Sequence, residues 1–296
     1  MQSTAPIEQA DLLKQNKTLS SNDFDQAIAE LARQLSNCKP RRSSFIIPAR
    51  LNQFMRFFQE CYDYFEETNK AQVSTSQTSE WLMDNFYVIE QAVRQVEQDL
   101  PADYYQRLPK TRDGWARIHI VALANTRRED TRLEIEQTKH VLQVFQEITP
   151  LNIGELWALP LMLRLTVLES LAGALAAVTK LKWDSVSPPQ LGVEAFSSPD
   201  LQDEPDQIVA NSILSLRLLA TQDWKAFFES TSILENVLRR DPADVYARMD
   251  FETRNHYRNA LEELAHGSTI DEAGIAAQAI ELAQSGPSAR EGHVGY

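Results

Sequence analysis

The chain has 296 residues, of which 43% are hydrophobic, so it can bury a core and is not expected to be disordered. Its 29 basic and 42 acidic side chains give a net charge of −13, which argues against a nucleic-acid partner because phosphates carry the same sign. It has only nine glycines, so tight turns and glycine-rich phosphate-binding loops are expected to be rare. This composition favours helices.

Apolar residues recur every three or four positions along most of the chain, which is the spacing of one helix face. The clearest stripe contains Leu82, Phe86, Ile89, Val93, Val96 and Leu100. Thr78 or Ser79 is expected to cap this helix. The same spacing predicts helices over residues 23–35, 51–69, 115–124, 133–148, 208–220, 224–238, 251–265 and 272–283, with a short helix starting at Pro101. Because no segment shows the alternation of a strand, the expected fold class is all-α.

The most apolar stretch covers residues 153–178 but contains Glu155, Arg164 and Pro160. A membrane span needs about 20 uninterrupted apolar residues, so we expect a buried helix pair kinked at Pro160 and no transmembrane span. Glu155 and Arg164 would lie about 13 Å apart along one helix and are not expected to pair with each other. We expect each to form a salt bridge to another helix or to face a missing domain.

The overall expectation is a multi-helix array or bundle, in two helical blocks joined by a linker rich in proline and acidic residues. Residues 1–44 are assigned as a variable N-terminal segment with one helix, and 45–183 as the main helical block. Residues 184–206 are the linker and 207–284 the second helical block. Residues 285–296 form a tail that we expect to be cut short before membrane helices.

The first 20 residues are polar and lack the apolar core of a signal peptide. Cys38 and Cys61 are too few to staple a chain of this size. Both features predict a cytoplasmic protein with reduced thiols.

Two carboxylates, Glu80 and Asp84, lie one helical turn apart beside Trp81. Glycoside cleavage uses two carboxylates about 5 to 9.5 Å apart, so this pair is one candidate for carbohydrate chemistry, with Glu155 as a further carboxylate. Sugar rings could stack on Trp81, Trp115 or Trp157. The alternative is that the acids begin a helix and the aromatic residues belong to its core.

Five arginines lie within 20 residues of each other, at Arg239, Arg240, Arg248, Arg254 and Arg258. Arg254 and Arg258, one turn apart, could bind a phosphate or a lipid headgroup. Alternatively, the arginines pair with Asp241, Asp244, Asp250 and Glu252, and Asp250 caps the next helix.

No catalytic residue and no metal site is predicted, because the histidines are scattered and phosphate-binding or nucleophile motifs do not occur. The residues expected to form an interface or a polar core are Glu80, Trp81, Asp84, Asn85, Glu155, Trp157, Arg164, Arg248, Asp250, Arg254 and Arg258.

Several short sequence motifs, which we call words, occur in the region from about residue 45 to the end of the chain. They are Glu80-Trp81-Leu82, Asp84-Asn85-Phe86-Tyr87, Ile89-Glu90, Leu108-Pro109-Lys110, Thr149-Pro150-Leu151, Gly154-Glu155-Leu156-Trp157-Ala158-Leu159-Pro160, Met162-Leu163-Arg164, Asp241-Pro242, Tyr246, Arg248-Met249-Asp250-Phe251, Thr253-Arg254, Tyr257-Arg258 and His293-Val294-Gly295-Tyr296. In this order they resemble the N-terminal cytosolic region of bacterial cyclic β-1,2-glucan synthases. After Asp113-Gly114 the family has a longer stretch, so one connection between helices is expected to be shorter here.

The resemblance implies a large inner-membrane enzyme that polymerises glucose from UDP-glucose and closes the β-1,2 chain into a ring. The matching region precedes its membrane helices and its glycosyltransferase domain, so the family's catalytic residues have no counterparts in this chain. No cofactor is expected here, and UDP-glucose and a divalent metal belong to the missing transferase module. The expected partners are the glycosyltransferase and membrane modules of the same enzyme, in cis or as a separate chain, at the cytosolic face of the inner membrane.

Three functions stay open from the sequence. The first is a non-catalytic helical domain that organises the glycosyltransferase module. The second is a helical carbohydrate-binding or glycoside-active domain. The third is a free-standing helical adaptor that binds a partner through its more acidic second half.

Overall fold

The computed structural model describes residues 21–41, 47–70, 76–127, 131–185, 205–266, 268–286, 288 and 291–295. Helices make up nearly all the regular structure in these ranges, which confirms the all-α prediction. The helices are α1 Ser21–Leu35, α2 Ile47–Lys70, α3 Gln77–Asp99, α4 Ala102–Arg107, α5 Arg117–Arg127, α6 Ile135–Gln146, α7 Ile153–Thr179, α8 Pro205–Thr221, α9 Trp224–Thr231, α10 Ile233–Leu238, α11 Phe251–Ala265 and α12 Glu272–Gln284. A 3-10 turn, Tyr246–Arg248, lies between α10 and α11.

Helix α7 lies at the centre and packs against α2, α3, α5 and α8. It is apolar on all sides, as a helix surrounded by other helices must be. By length and composition alone it could cross a membrane, but 67% of its most apolar window is buried inside the protein. A core helix meets the same criteria, and the packing of α7 is that of a core helix.

The prediction of a helix pair over residues 153–178 is wrong, because α7 is one continuous helix with Pro160 inside it. Proline removes one backbone hydrogen bond and costs about 3 kcal/mol in a helix interior. The residues on both sides of Pro160 are buried, and their packing offsets that cost. The helix ends at Lys180, whose φ of 61° breaks the helical geometry.

Three local features of the fold were not predicted from the sequence. The helix expected over 224–238 is split at Ser232, whose extended backbone ends α9 and whose side chain caps α10 by accepting the N–H of Glu235 at 3.2 Å. Helix α3 is capped by Ser76, whereas Thr78 and Ser79 are buried inside its first turn. Strands β1 Lys39–Pro40 and β2 Pro109–Lys110 pair antiparallel, and at two residues each they are too short to show alternation.

Helix α8 connects the two predicted blocks, because it packs against α3 and α7 of the main block. The Ser215 hydroxyl on α8 donates to the Thr131 carbonyl at 2.7 Å and accepts the N–H of Leu133 at 2.9 Å. Most of the expected linker, residues 186–204, and the first 20 residues lie outside the described ranges. The division into blocks stays a prediction.

Candidate functional site

The carboxylates proposed for carbohydrate chemistry do not form a site around α3. Glu80 and Asp84 are both exposed on the surface of α3. Trp81 is partly buried against the core. Asn85 is buried, donates to the Trp81 carbonyl at 2.8 Å and accepts a hydrogen bond from Arg217. The arrangement is that of a helix with acids on its exposed face.

Trp157 on α7 contacts aromatic rings of two other helices. Its ring stacks on Phe228 with centroids 4.6 Å apart and meets Phe251 edge-on at 6.0 Å. The tryptophan therefore joins α7 to α9 and α11, and Phe228 covers one face of its ring.

Trp157→Ala is expected to lower the free energy of unfolding by about 3 kcal/mol, because it removes a packed but partly exposed ring. Urea denaturation measures this loss. Tyr87→Ala is the control, since Tyr87 is 59% exposed and its removal should cost less than about 0.5 kcal/mol. Equal effects of the two substitutions would place Trp157 on an open surface.

Glu155 forms a buried ion pair with Arg117 at the start of α7. The carboxylate is fully buried and accepts the Arg117 Nε–H at 2.8 Å and a second, shorter bond from Nη2. It also accepts the N–H of Asn152 at 3.1 Å, while the Asn152 side chain accepts the N–H of Glu155. This reciprocal capping box together with the arginine satisfies the carboxylate within the protein.

The prediction of a salt bridge for Arg164 is wrong, because the Arg164 guanidinium binds backbone carbonyls. It donates to Pro160 O at 2.9 Å and to Leu219 O at 2.7 Å, near the end of α8. Carbonyls in the last turn of a helix lack intrahelical partners, so Arg164 acts as a cap for α8. Burial lowers the pKa of Arg164 to about 10.

A second polar cluster, built around the buried Glu235 and called the Glu235 cluster, joins α9, α10, α11 and the 3-10 turn. Its members are Glu229, Glu235, Arg239, Tyr246, Arg254 and Arg258. Glu235 and Arg258 are fully buried and bond at 2.8 Å. Glu235 also accepts the Tyr246 hydroxyl at 2.7 Å and the Arg239 Nε–H at 2.9 Å. A buried carboxylate is stable only with such complete pairing.

The arginines of this cluster do not form the phosphate fork considered from the sequence. Arg254 and Arg258 point inward, and Arg258 lies over the rings of Phe228 and Phe251. Their acidic partners are Glu229 and Glu235, not the aspartates expected from nearby positions, because the partners come from the preceding helices.

The remaining two predicted residues lie at the surface beside α11. Arg248 is exposed and donates to the Asp244 carbonyl at 2.5 Å. Asp250 caps α11 by accepting the N–H of Thr253 at 2.8 Å, as predicted. The hydrogen bonds from Thr253 outweigh burial and lower the pKa of Asp250.

The tail is fixed by Asp241, which forms what we call the Asp241 clasp with His293 and Tyr257. Asp241 accepts the N–H groups of Tyr246 and Val294 and bonds His293 Nδ1 at 3.0 Å. His293 Nε2 lies 3.0 Å from the Tyr257 hydroxyl. Burial favours the neutral acid, but these hydrogen bonds together outweigh it and lower the pKa of Asp241.

Glu272, in the first turn of α12, is the one carboxyl in the described residues whose pKa rises into the neutral range. Its carboxylate accepts the N–H of Ile153 at 2.9 Å and lines a cavity of about 320 Å³ with Arg117 and Asn152. Burial, and then the nearby negative charges of Glu262, Glu155 and Asp271, raise its pKa to about 7. Among the described residues no group of three His, Cys, Asp or Glu side chains is placed to hold a metal ion.

This raised pKa predicts a pH-dependent stability. The folded chain binds the Glu272 proton more tightly than the unfolded chain, whose ordinary value is 4.5, so stability falls as pH rises from about 5 to about 7. Glu272→Gln is expected to remove this fall and to be more stable than the wild type at pH 8 by on the order of 2 kcal/mol. Denaturation curves across this range test it, with the exposed Glu281→Gln on the same helix as control. Parallel pH curves for wild type and Glu272→Gln would contradict the assignment.

Sequence reasoning missed Arg117, Glu229, Glu235 and Glu272, which complete the buried ion pairs or line the cavity. The Glu235–Arg239 spacing of four residues was the available signal for one of these contacts. The other partners are far apart in the chain, and only the packing of helices brings them together.

No protein-family model matches the chain. The chain is similar to a curated protein, the cyclic beta-(1,2)-glucan synthase NdvB of Rhizobium meliloti (strain 1021). The two sequences are 27% identical over an alignment of 338 residues, and the alignment covers 91% of this chain and 12% of the synthase. The chain therefore spans about one eighth of the length of that relative, whose matched region contains residues that this chain lacks. The match confirms the resemblance seen in the sequence words: this all-α chain is related to a region of cyclic β-1,2-glucan synthase.

Proposed function

We propose that this chain is a non-catalytic helical domain of, or derived from, a cyclic β-1,2-glucan synthase, and that it organises the glycosyltransferase module. The observation that carries the proposal is the match to the synthase, which covers 91% of this chain but 12% of the relative. The domain works at the cytosolic face of the inner membrane, where it contacts the glycosyltransferase and membrane modules in cis or as a separate chain. UDP-glucose and its metal bind to the transferase module.

The geometry of the buried carboxylates supports a structural role for this chain. Glu155 and Glu235 are fully buried, and arginines and other donors of the same fold occupy both oxygens of each. A catalytic carboxylate needs an oxygen that faces the substrate. These two carboxylates instead hold helix ends and helix pairs in place.

The experiment is an assay of the purified 296-residue chain with UDP-glucose and Mg²⁺. We expect no release of UDP and no β-1,2-glucan, whereas polymer formed by the chain alone would overturn the non-catalytic assignment.

A carbohydrate-active function has one observation in its favour, the cavity lined by Glu272. A carboxyl with a raised pKa in a cavity is a candidate general acid. Asp271, which also lines the cavity, uses its Oδ1 to accept the N–H of Gly274 at 2.7 Å as the cap of α12. Calorimetry with β-1,2-glucan distinguishes the two functions. We expect no heat of binding, and heat that disappears in Glu272→Gln would favour the carbohydrate-active function.

A further inference from the structure

Two long helices near the end of the described chain form an apolar groove that the fold leaves open. The groove lies between α11 and α12, has a volume of about 520 Å³, and includes Leu261, Leu264, Ile275, Leu282 and Val294 in its lining. Leu264 is 64% exposed and Leu282 is 73% exposed, and these are the two most exposed large hydrophobic residues among those described. Single exposed leucines are common, but two that line the same groove indicate a surface for binding.

The walls of this groove are held in place by the contacts already described. Arg258 fixes α11 from its buried side through Glu235. The Asp241 clasp holds Val294, which lines the groove. Gly295 lies so close to Tyr257 that an added Cβ would be 2.3 Å from the ring. The groove is therefore formed before anything binds, and little ordering cost falls on this side of a complex.

The shape of the groove is suited to a helix. Helix α11 contributes Tyr257, Leu261 and Leu264, and α12 contributes Ile275, Ala279 and Leu282. Each set follows the i, i+4, i+7 spacing of one helix face. The small side chain of Ala279 leaves room between the larger ones. A third helix with its own apolar stripe packs into such a groove by the ordinary ridge-in-groove rules.

The charge of the two helices that form the groove selects the kind of helix that binds there. Glu252 pairs with Lys225 at 2.7 Å, and the other exposed ionised side chains of α11 and α12 are Glu262, Glu263 and Glu281. Both arginines of α11 are buried, and α12 has no Lys or Arg. These carboxylates on the two helices that form the groove attract Lys and Arg, and they repel the anionic surface of a membrane.

We propose that the α11–α12 groove binds an amphipathic helix of a protein partner, with an apolar stripe flanked by Lys or Arg. This goes beyond the proposed function, since the groove would accept such a helix whether or not the helix belongs to a synthase.

The test is a titration of a fluorescein-labelled synthetic peptide of about 18 residues, or five helical turns, with Leu on one face and Lys elsewhere. Fluorescence anisotropy with the full chain reports binding. One control peptide has the same residues in an order without the stripe, and another has Glu in place of Lys. We expect both controls to bind at least about tenfold more weakly than the striped Lys peptide.

The protein variant is Leu264→Ser/Leu282→Ser, which should fold normally because both side chains are mostly exposed. It is expected to weaken binding of the striped Lys peptide about tenfold or more, while Tyr87→Ser on α3, 59% exposed, leaves binding unchanged. Equal affinity for the striped and scrambled peptides would overturn the proposal, and so would equal affinity of wild type and double variant.

Two measurements examine other occupants of the groove. Light scattering of wild type and double variant shows whether a second copy fills it, and a dimer that the double substitution dissociates would overturn the proposal. Vesicles of phosphatidylcholine with and without phosphatidylglycerol show whether it inserts into lipid, and leucine-dependent binding to them would also overturn it. None of these measurements uses UDP-glucose, so their failure is distinct from a failure of the proposed function.

Discussion

Glu235→Ala is expected to lower the free energy of unfolding by about 3 to 5 kcal/mol, because it leaves the fully buried guanidinium of Arg258 without its carboxylate. Tyr246 loses the acceptor of its hydroxyl at the same time. Urea denaturation followed by circular dichroism measures the loss.

The control for this substitution is Glu252→Ala, which breaks the exposed pair between Glu252 and Lys225 and should cost about 1 kcal/mol or less. A double variant, Glu235→Ala with Arg258→Met, should recover part of the loss because no buried charge remains unpaired. Equal effects of Glu235→Ala and Glu252→Ala would show that the Glu235 cluster does not hold α9, α10 and α11 together.

Glu155→Ala is expected to cost a similar amount, about 3 to 5 kcal/mol, since it leaves Arg117 unpaired in a buried position. It also removes half of the capping box at the start of α7, the central helix. The same denaturation experiment measures the loss.

Here the control is Glu136→Ala, because the Glu136 side chain is 83% exposed in its pair with Lys139. Its removal should change stability by about 0.5 kcal/mol or less. If Glu155→Ala were no worse than Glu136→Ala, the buried pair would not stabilise the start of α7.

The helices could be predicted because their apolar residues repeat with the period of a helix, and that period follows from burying one face. Local caps could be predicted in part, as Asp250 shows. The break at Ser232 was hidden, since the apolar stripe continues on both sides of it. At Pro160 the sequence predicts a kink between two helices, but tertiary packing keeps α7 continuous around the proline.

The sequence shows which polar residues need a partner inside the fold, but it does not show which group the partner is. Lys110 shows why, since its position in the word Leu108-Pro109-Lys110 gave no partner. In the structure its buried ammonium donates to the carbonyls of Tyr105, Gln106 and Leu108, and burial lowers its pKa to about 8. Glu155 and Arg164 likewise were known to need partners, but Glu155 pairs with Arg117, 38 residues away, and Arg164 binds backbone carbonyls.

Several of the words that resemble the synthases contain these buried polar residues. Glu155, Arg164, Tyr246 and Arg258 each belong to a word, and each makes hydrogen bonds that hold two elements together. The likeness therefore includes residues on which the helical packing depends, as expected if the related region of the synthase has the same fold.

The central claim, that this domain supports a transferase located elsewhere, is tested most directly by glucan synthesis in the Rhizobium synthase. The residues that match this chain are deleted from that enzyme, and the 296-residue chain is inserted in their place. β-1,2-Glucan formed from UDP-glucose is then measured in membranes containing equal amounts of each enzyme. We predict that the deletion abolishes synthesis and that the inserted chain restores it in part, whereas full synthesis by the deleted enzyme would contradict the claim.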